Sequence, residues 1–170
     1  VREVGIVAVP ADLSERAEVR VEVEEFPERY GVEAGEFLRR LADLGLEVAV
    51  GHNVWSFDRP LLESIGAWKW KRCLDTLVMS LAALPELRSH RLERLADLFG
   101  IDYRPHDPVE DARASLELAL VLTMVLVERG SIHILLGAGV EPLSGLGDLL
   151  VAMRKMLYRD PAKRIAYSAK

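Results

Sequence analysis

Continuous and alternating apolar runs in the first half of the chain predict strands. Residues 2–9 form a short apolar run, and residues 18–26 alternate valines with charged side chains, as expected of an antiparallel hairpin with one face in water. Residues 46–50 are nearly all apolar and precede Gly51, which predicts a strand covered on both faces. Residues 68–73 alternate tryptophan with lysine and predict another short strand. We interpret these tryptophans mainly as packing, with stacking on nucleic-acid bases as the alternative.

Helical spacing of apolar residues predicts helices between and after these strands. The best defined covers residues 108–129, where Asp107 can cap the helix, Pro108 can begin it and Glu110 can complete a capping box. Asp75 is the predicted cap of a helix over residues 76–84. The remaining predictions are helices at 36–44, at 57–65, from a cap at Ser89 to Phe99 and at 146–157, and a strand at 131–136.

The order of these elements predicts an α/β fold with a mixed sheet flanked by helices. We assign residues 1–129 to one domain. Residues 130–170 form a C-terminal extension that packs on this domain or joins it to another. The 170 residues are enough for one domain with a hydrophobic core of its own.

Composition restricts the setting in which the protein functions. Half of the residues are hydrophobic, but no uncharged apolar run reaches the roughly 18 residues that a membrane span needs. The sequence contains no signal-peptide pattern. The only cysteine is Cys73, so an internal disulfide is excluded and a cytoplasmic, reducing location without a membrane partner is expected.

Charge is distributed unevenly along the chain. The net charge is −5, yet residues 150–170 contain six basic side chains and only Asp160 as an acidic one. This basic segment can contact phosphates, or it can simply be a solvated helix end. The acidic remainder of the chain argues against nucleic-acid binding by general attraction alone.

Asp58 stands where the predicted strand at 46–50 passes into a helix, within the sequence His52-Asn53-Val54-Trp55-Ser56-Phe57-Asp58. Open α/β sheets bind their ligands at such strand ends. Taken alone, Asp58 is equally well explained as an ordinary residue at a helix N-terminus.

A second stretch with chemically useful side chains is His106-Asp107-Pro108-Val109-Glu110-Asp111. Asp111 falls in the first turn of the long predicted helix, and His106 lies on the loop before it. A histidine with a near-neutral pKa at this position can act as a general base. Taken alone, His106 is more simply an exposed loop residue, and Asp111 a residue favoured by the helix dipole.

Together the two stretches resemble the DEDD-type 3′–5′ exonucleases, in the histidine variant related to DNA polymerase proofreading subunits. The family's His-Asn-x-x-Phe-Asp motif is similar to His52, Asn53, Phe57 and Asp58, and its third motif, His followed five residues later by Asp, is similar to His106 and Asp111. The segments beginning at Leu74 and Ser89 are similar to the helices that link these motifs. The resemblance covers residues 2 to 127.

The resemblance implies a ribonuclease-H-like fold and metal-dependent hydrolysis of phosphodiester bonds. Asp58 and Asp111 would bind Mg²⁺ or Mn²⁺, and His106 would be the catalytic base. Asn53 and Phe57 would position the 3′ end of single-stranded DNA or RNA. Carboxylates suit such hard cations, which act in pairs about 4 Å apart in two-metal hydrolases. A larger replication or repair protein would be a partner.

The family's first motif, Asp-x-Glu, does not occur before Asp58. Asp12 and Glu15 are spaced too widely to replace it. In the family this motif lies on a central strand between those matching residues 2–9 and 46–50, so we expect the chain to lack that strand and to be inactive alone. The alternatives are a catalytically dead module that binds nucleic acid or protein, and an editing domain of a larger polymerase or helicase.

Overall fold

The computed structural model describes residues 3–8, 17–22, 47–64, 66, 68, 70–105 and 107–159. Of these, residues 3–8, 17–22 and 156–159 are described as backbone only. The predicted helix at 36–44, the side chains of Asp12, Glu15 and His106, and the basic residues beyond 159 lie outside the described residues.

The four described strands form two pairs. Strand β1 (Glu3–Ala8) pairs antiparallel with β2 (Ala17–Glu22), which confirms the predicted hairpin. Strand β3 (Val48–Gly51) pairs parallel with β4 (Arg72–Asp75). The strand predicted at 68–73 therefore begins only at Arg72, and the two tryptophans lie in the segment before it.

Six helices and one 3-10 turn follow β3 in the described part of the chain. They are α1 (Asp58–Ser64), α2 (Thr76–Ala83), α3 (Leu92–Phe99), α4 (Pro108–Glu128), α5 (Ile132–Gly137), the 3-10 turn (Glu141–Leu143) and α6 (Leu146–Arg159).

Two local predictions were wrong. The segment at 131–136 is helix α5 rather than a strand, because Ile132 and Leu135, three positions apart, both turn toward the core. Helix α3 is capped at Arg91, without a side-chain hydrogen bond, so Ser89 does not cap it. The α3 C-terminus at Phe99 agrees with prediction, since Gly100 adopts the left-handed conformation that ends many helices.

Within the described ranges, no strand hydrogen bonds join the two pairs into the single mixed sheet expected from the sequence. In the described residues β1 pairs only with β2, and β3 only with β4. Helix α4 lies against β1, β2 and β3 and thus connects the two pairs through packing instead of strand hydrogen bonds. The fold is therefore mixed α/β with a small parallel sheet.

The hydrophobic core is almost wholly aliphatic. It is built on α4, whose Leu118, Leu122 and Leu126 are fully buried, and α2 packs on it through Met79. The segment from 130 onward also enters this core. Its contributing side chains are Ile132, Leu143, Leu146 and Leu149. No helix in the described ranges is long and apolar enough to cross a membrane.

The outer edge of β4 is covered by the turn that precedes α6. The Gly145 backbone N–H donates to the Cys73 carbonyl at 2.8 Å, and the Cys73 N–H donates to the Ser144 hydroxyl at 3.0 Å. An added Cβ on Gly145 would lie 2.5 Å from a Val48 methyl group, so only glycine allows this approach. The turn therefore provides hydrogen-bond partners for the backbone along the outer edge of β4. The carboxyl ends of β3 and β4 remain as the place where loops converge.

Candidate functional site

The loop between β3 and α1 carries the first candidate motif. Asn53 has a φ of 61°, a left-handed conformation that asparagine tolerates better than most residues. The carbonyl of Asn53 accepts from the Phe57 N–H at 3.0 Å, which closes a tight turn. Three residues separate Asn53 from Phe57, one more than in the family motif that the sequence resembles.

Asp75, at the carboxyl end of β4, fixes this loop. Its side chain is 1% exposed. One carboxylate oxygen accepts from the Asn53 N–H at 3.0 Å and from the Leu77 N–H at 2.9 Å, and the other accepts from the Trp55 N–H at 3.0 Å. The bond to Leu77 confirms the predicted helix cap. The two bonds to the motif loop were missed by sequence reasoning, since they join residues far apart in the chain.

Asp58 is the first residue of α1 and is partly buried. Burial, with the nearby charges of Asp75 and Asp111, raises the pKa of Asp58 to about 6. The influence of Asp111 is informative because this residue belongs to α4, at the other motif. The charge of Asp111 is the smallest of these causes, and it agrees with the packing of α4 against β3.

Asp111 occupies the first turn of α4. Asp107 caps this helix by accepting from the Val109 N–H at 3.0 Å, as predicted, while the Glu110 carboxylate pairs with Arg113. The Tyr103 hydroxyl donates to the Asp111 carboxylate at 2.7 Å. Burial and this hydrogen bond to an anion raise the pKa of Tyr103. The sequence contained no signal for Tyr103, which orients one face of Asp111.

His52 lies beneath the loop and not on its surface. Its Nδ1 is 3.0 Å from the Thr76 hydroxyl, and burial is the main cause that lowers the pKa of His52. Phe57 and Asn53 were expected to contact the 3′ end of a nucleic acid. Phe57 lies beside Asp58 and is 62% exposed. Asn53 is partly buried and uses its backbone N–H to bind Asp75. The predicted base, His106, is outside the described residues.

The described side chains do not by themselves fit a metal ion. No three His, Cys, Asp or Glu side chains in the described ranges are grouped closely enough to hold one. The Asp75 carboxylate is already committed to three backbone N–H groups. Asp58 and Asp111 are therefore the available oxygen donors at this end of the sheet, and two such donors are fewer than an all-protein site for a hard cation uses.

Comparisons of the chain with protein-family models, with curated protein sequences and with solved structures found no match.

Proposed function

We propose that the chain is a domain similar to the DEDD-type 3′–5′ exonucleases and that it binds the 3′ end of DNA or RNA beside Asp58 and Asp111. The observation that supports this most is the packing of α4, whose first turn carries Asp111, against β3, which leads into the loop and helix of Asp58. The charge of Asp111 also contributes, as the smallest of the causes, to the raised pKa of Asp58, which agrees with an approach of the two motifs.

Carboxylates at this position favour a 3′-hydroxyl over a 3′-phosphate. A carboxylate can accept a hydrogen bond from a hydroxyl, whereas a second anion at the same point is repelled. The raised pKa of Asp58 indicates that the surroundings already disfavour negative charge there. Phe57, exposed next to Asp58, supplies an apolar face for the terminal nucleotide.

Hydrolysis by these residues alone is not part of the proposal. The described donors are too few for a metal ion, and the sequence has no Asp-x-Glu. Hydrolysis with Mg²⁺ or Mn²⁺, and with His106 as the base, is proposed only for a protein in which further carboxylates complete the metal site.

A cleavage assay tests this division between binding and hydrolysis. The 170-residue chain is incubated with Mg²⁺ or Mn²⁺ and with single-stranded DNA or RNA labelled at its 5′ end. We expect the oligonucleotides to remain intact. Robust metal-dependent shortening that is lost in Asp12→Ala or Glu15→Ala would show that these residues supply the first motif and would contradict the proposal that the chain alone does not hydrolyse.

The alternative of a protein-interaction module makes a different prediction. Such a module would not bind oligonucleotides, and its interactions would be unaffected by Asp58→Asn or Asp111→Asn. Fluorescence anisotropy with labelled oligonucleotides distinguishes the two functions. An absence of binding at low ionic strength, where phosphate contacts are strongest, would contradict the proposal.

A further inference from the structure

All three tryptophans of the chain lie in one cluster beside the motif loop. Trp55 belongs to the loop, and Trp68 and Trp70 lie in the segment that precedes β4. The rings of Trp68 and Trp70 meet edge to face with centroids 4.9 Å apart. The guanidinium of Arg59 stacks on Trp55 at 3.9 Å and reaches the Trp68 ring at 5.7 Å. We call Trp55, Arg59, Trp68 and Trp70 the aromatic platform.

The platform is not part of the hydrophobic core. The core and the partly buried side chains packed on it include none of the tryptophans. Each tryptophan remains partly exposed, as does Arg59 at 29%. Partly exposed aromatic side chains of this size are common on surfaces that bind another molecule, because the ring is apolar while its polar edge can remain in water. The packing role inferred from the sequence therefore applies to contacts within the platform and not to the hydrophobic core.

Arg59 gives the platform a positive charge directly after Asp58. Its Nε pairs with Glu63 at 2.7 Å. The terminal nitrogens Nη1 and Nη2 carry the other N–H donors of the guanidinium. Stacking on Trp55 holds the guanidinium in place, so Nη1 and Nη2 can donate two parallel hydrogen bonds to a phosphate. Arg59 directly follows Asp58, so its positive charge can offset the repulsion between the nearby aspartates and a phosphate.

From this arrangement we infer that the aromatic platform binds the nucleotides next to the 3′ end of single-stranded nucleic acid. Bases stack on the tryptophans, and Arg59 binds the intervening phosphate. The strand must be single because the faces of paired bases are covered by their neighbours in a duplex. The inference rests on the proposed function, since it extends the 3′-end site at Asp58 along the strand and specifies its substrate class.

The fluorescence of the protein tests the inference directly. Because every tryptophan belongs to the platform, the whole tryptophan emission of the chain reports on it. Titration with single-stranded oligo-dT or oligo-U in EDTA should quench this emission to saturation. A duplex and an inorganic polyphosphate should quench the tryptophan emission only slightly. Both carry the phosphate charge, but neither offers a free base face. Saturable oligonucleotide binding without quenching would overturn the inference.

Substitutions separate the stacking from the charge. Trp68→Ala and Arg59→Ala should each weaken oligonucleotide binding about tenfold, given the usual contribution of one stacked base. Arg94→Ala, which removes a positive charge from the exposed surface of α3, is the matched control and should have no effect. If Trp68→Ala does not fold, Arg59→Lys serves instead. It keeps the charge, loses the planar stack, and should still weaken binding. Equal affinity of Arg59→Lys, Arg59→Ala and wild type would contradict the inference.

The outcomes also distinguish this inference from the proposed function. Quenching with no preference for a free 3′-hydroxyl would support the platform but contradict the 3′-end site. A preference for the 3′-hydroxyl without quenching would support the 3′-end site and contradict the platform. Quenching by a proline-rich peptide but by no oligonucleotide would overturn the inference and assign the platform to a protein partner, since aromatic grooves also bind such peptides.

Discussion

The carboxylate of Asp75 accepts a hydrogen bond from the backbone N–H of Trp55 at 3.0 Å, across 20 residues of chain. The same carboxylate binds the Asn53 N–H and caps α2. A single buried side chain therefore joins the end of β4 to the loop that carries Asp58 and the first tryptophan of the aromatic platform. The geometry of the proposed site depends on Asp75 even though Asp75 does not face the ligand.

Asp75→Asn should destabilise the protein by about 3 kcal/mol, because an amide oxygen accepts fewer N–H groups while the new NH₂ opposes a donor. Urea unfolding at pH 7 measures this loss. The control is Asp97→Asn, an exposed position on α3, which should change the free energy of unfolding by less than about 0.5 kcal/mol. If Asp75→Asn were as mild as the control, Asp75 would not be what holds the loop.

Gly145→Ala should destabilise the protein by roughly 1 to 3 kcal/mol, the usual range for overpacking. The added Cβ would lie 2.5 Å from Val48 Cγ1 and 3.2 Å from the Cys73 carbonyl oxygen. Gly137→Ala provides a matched control, since nothing lies within 4 Å of its added Cβ and the residue is in helix α5. That control should be neutral or stabilising. Thermal unfolding of both variants compares them, and equal melting temperatures would contradict the close contact at Gly145.

Asp58→Asn should change the pH dependence of stability. The folded-state pKa of Asp58 is about 6, above its ordinary value, so the folded protein binds more protons than the unfolded chain between about pH 4 and pH 6. Stability contributed by the protonated carboxyl is therefore lost as pH rises through this window.

The Asn variant carries no such penalty, so its stability relative to wild type should increase between pH 4 and pH 7. We expect about 1 to 2 kcal/mol, a value reduced for the partial exposure of Asp58. Denaturant unfolding at several pH values provides the curve, with Asp97→Asn as the control for removal of a charge. A difference between Asp58→Asn and wild type that stayed constant with pH would contradict the raised pKa.

Sequence patterns predicted the elements whose signal is local. The α4 cap at Asp107 and the α2 cap at Asp75 follow from side chains that bond to N–H groups two or three residues away. The hairpin followed from alternating valines. These predictions depend on neighbouring residues alone.

The features that sequence reasoning missed depend on contacts between distant residues. Nothing near Tyr103 indicates that its hydroxyl binds Asp111, and nothing near Gly145 indicates that it closes the edge of β4. The apolar segment at Ile132 is too short for its hydrophobic periodicity to distinguish a helix from a strand. Its helical conformation instead follows from packing on the core.

Relative affinity for 3′-hydroxyl and 3′-phosphate ends tests the 3′-end site most directly. Two single-stranded oligonucleotides of one sequence, differing only in this group, are compared by anisotropy in EDTA with wild type, Asp58→Asn and Asp111→Asn. We predict that wild type binds the 3′-hydroxyl end several-fold more tightly and that each substitution reduces this preference, because a carboxylate that accepts the hydroxyl and repels the phosphate is gone. Equal affinity of wild type for both ends would contradict a 3′-end site at Asp58 and Asp111.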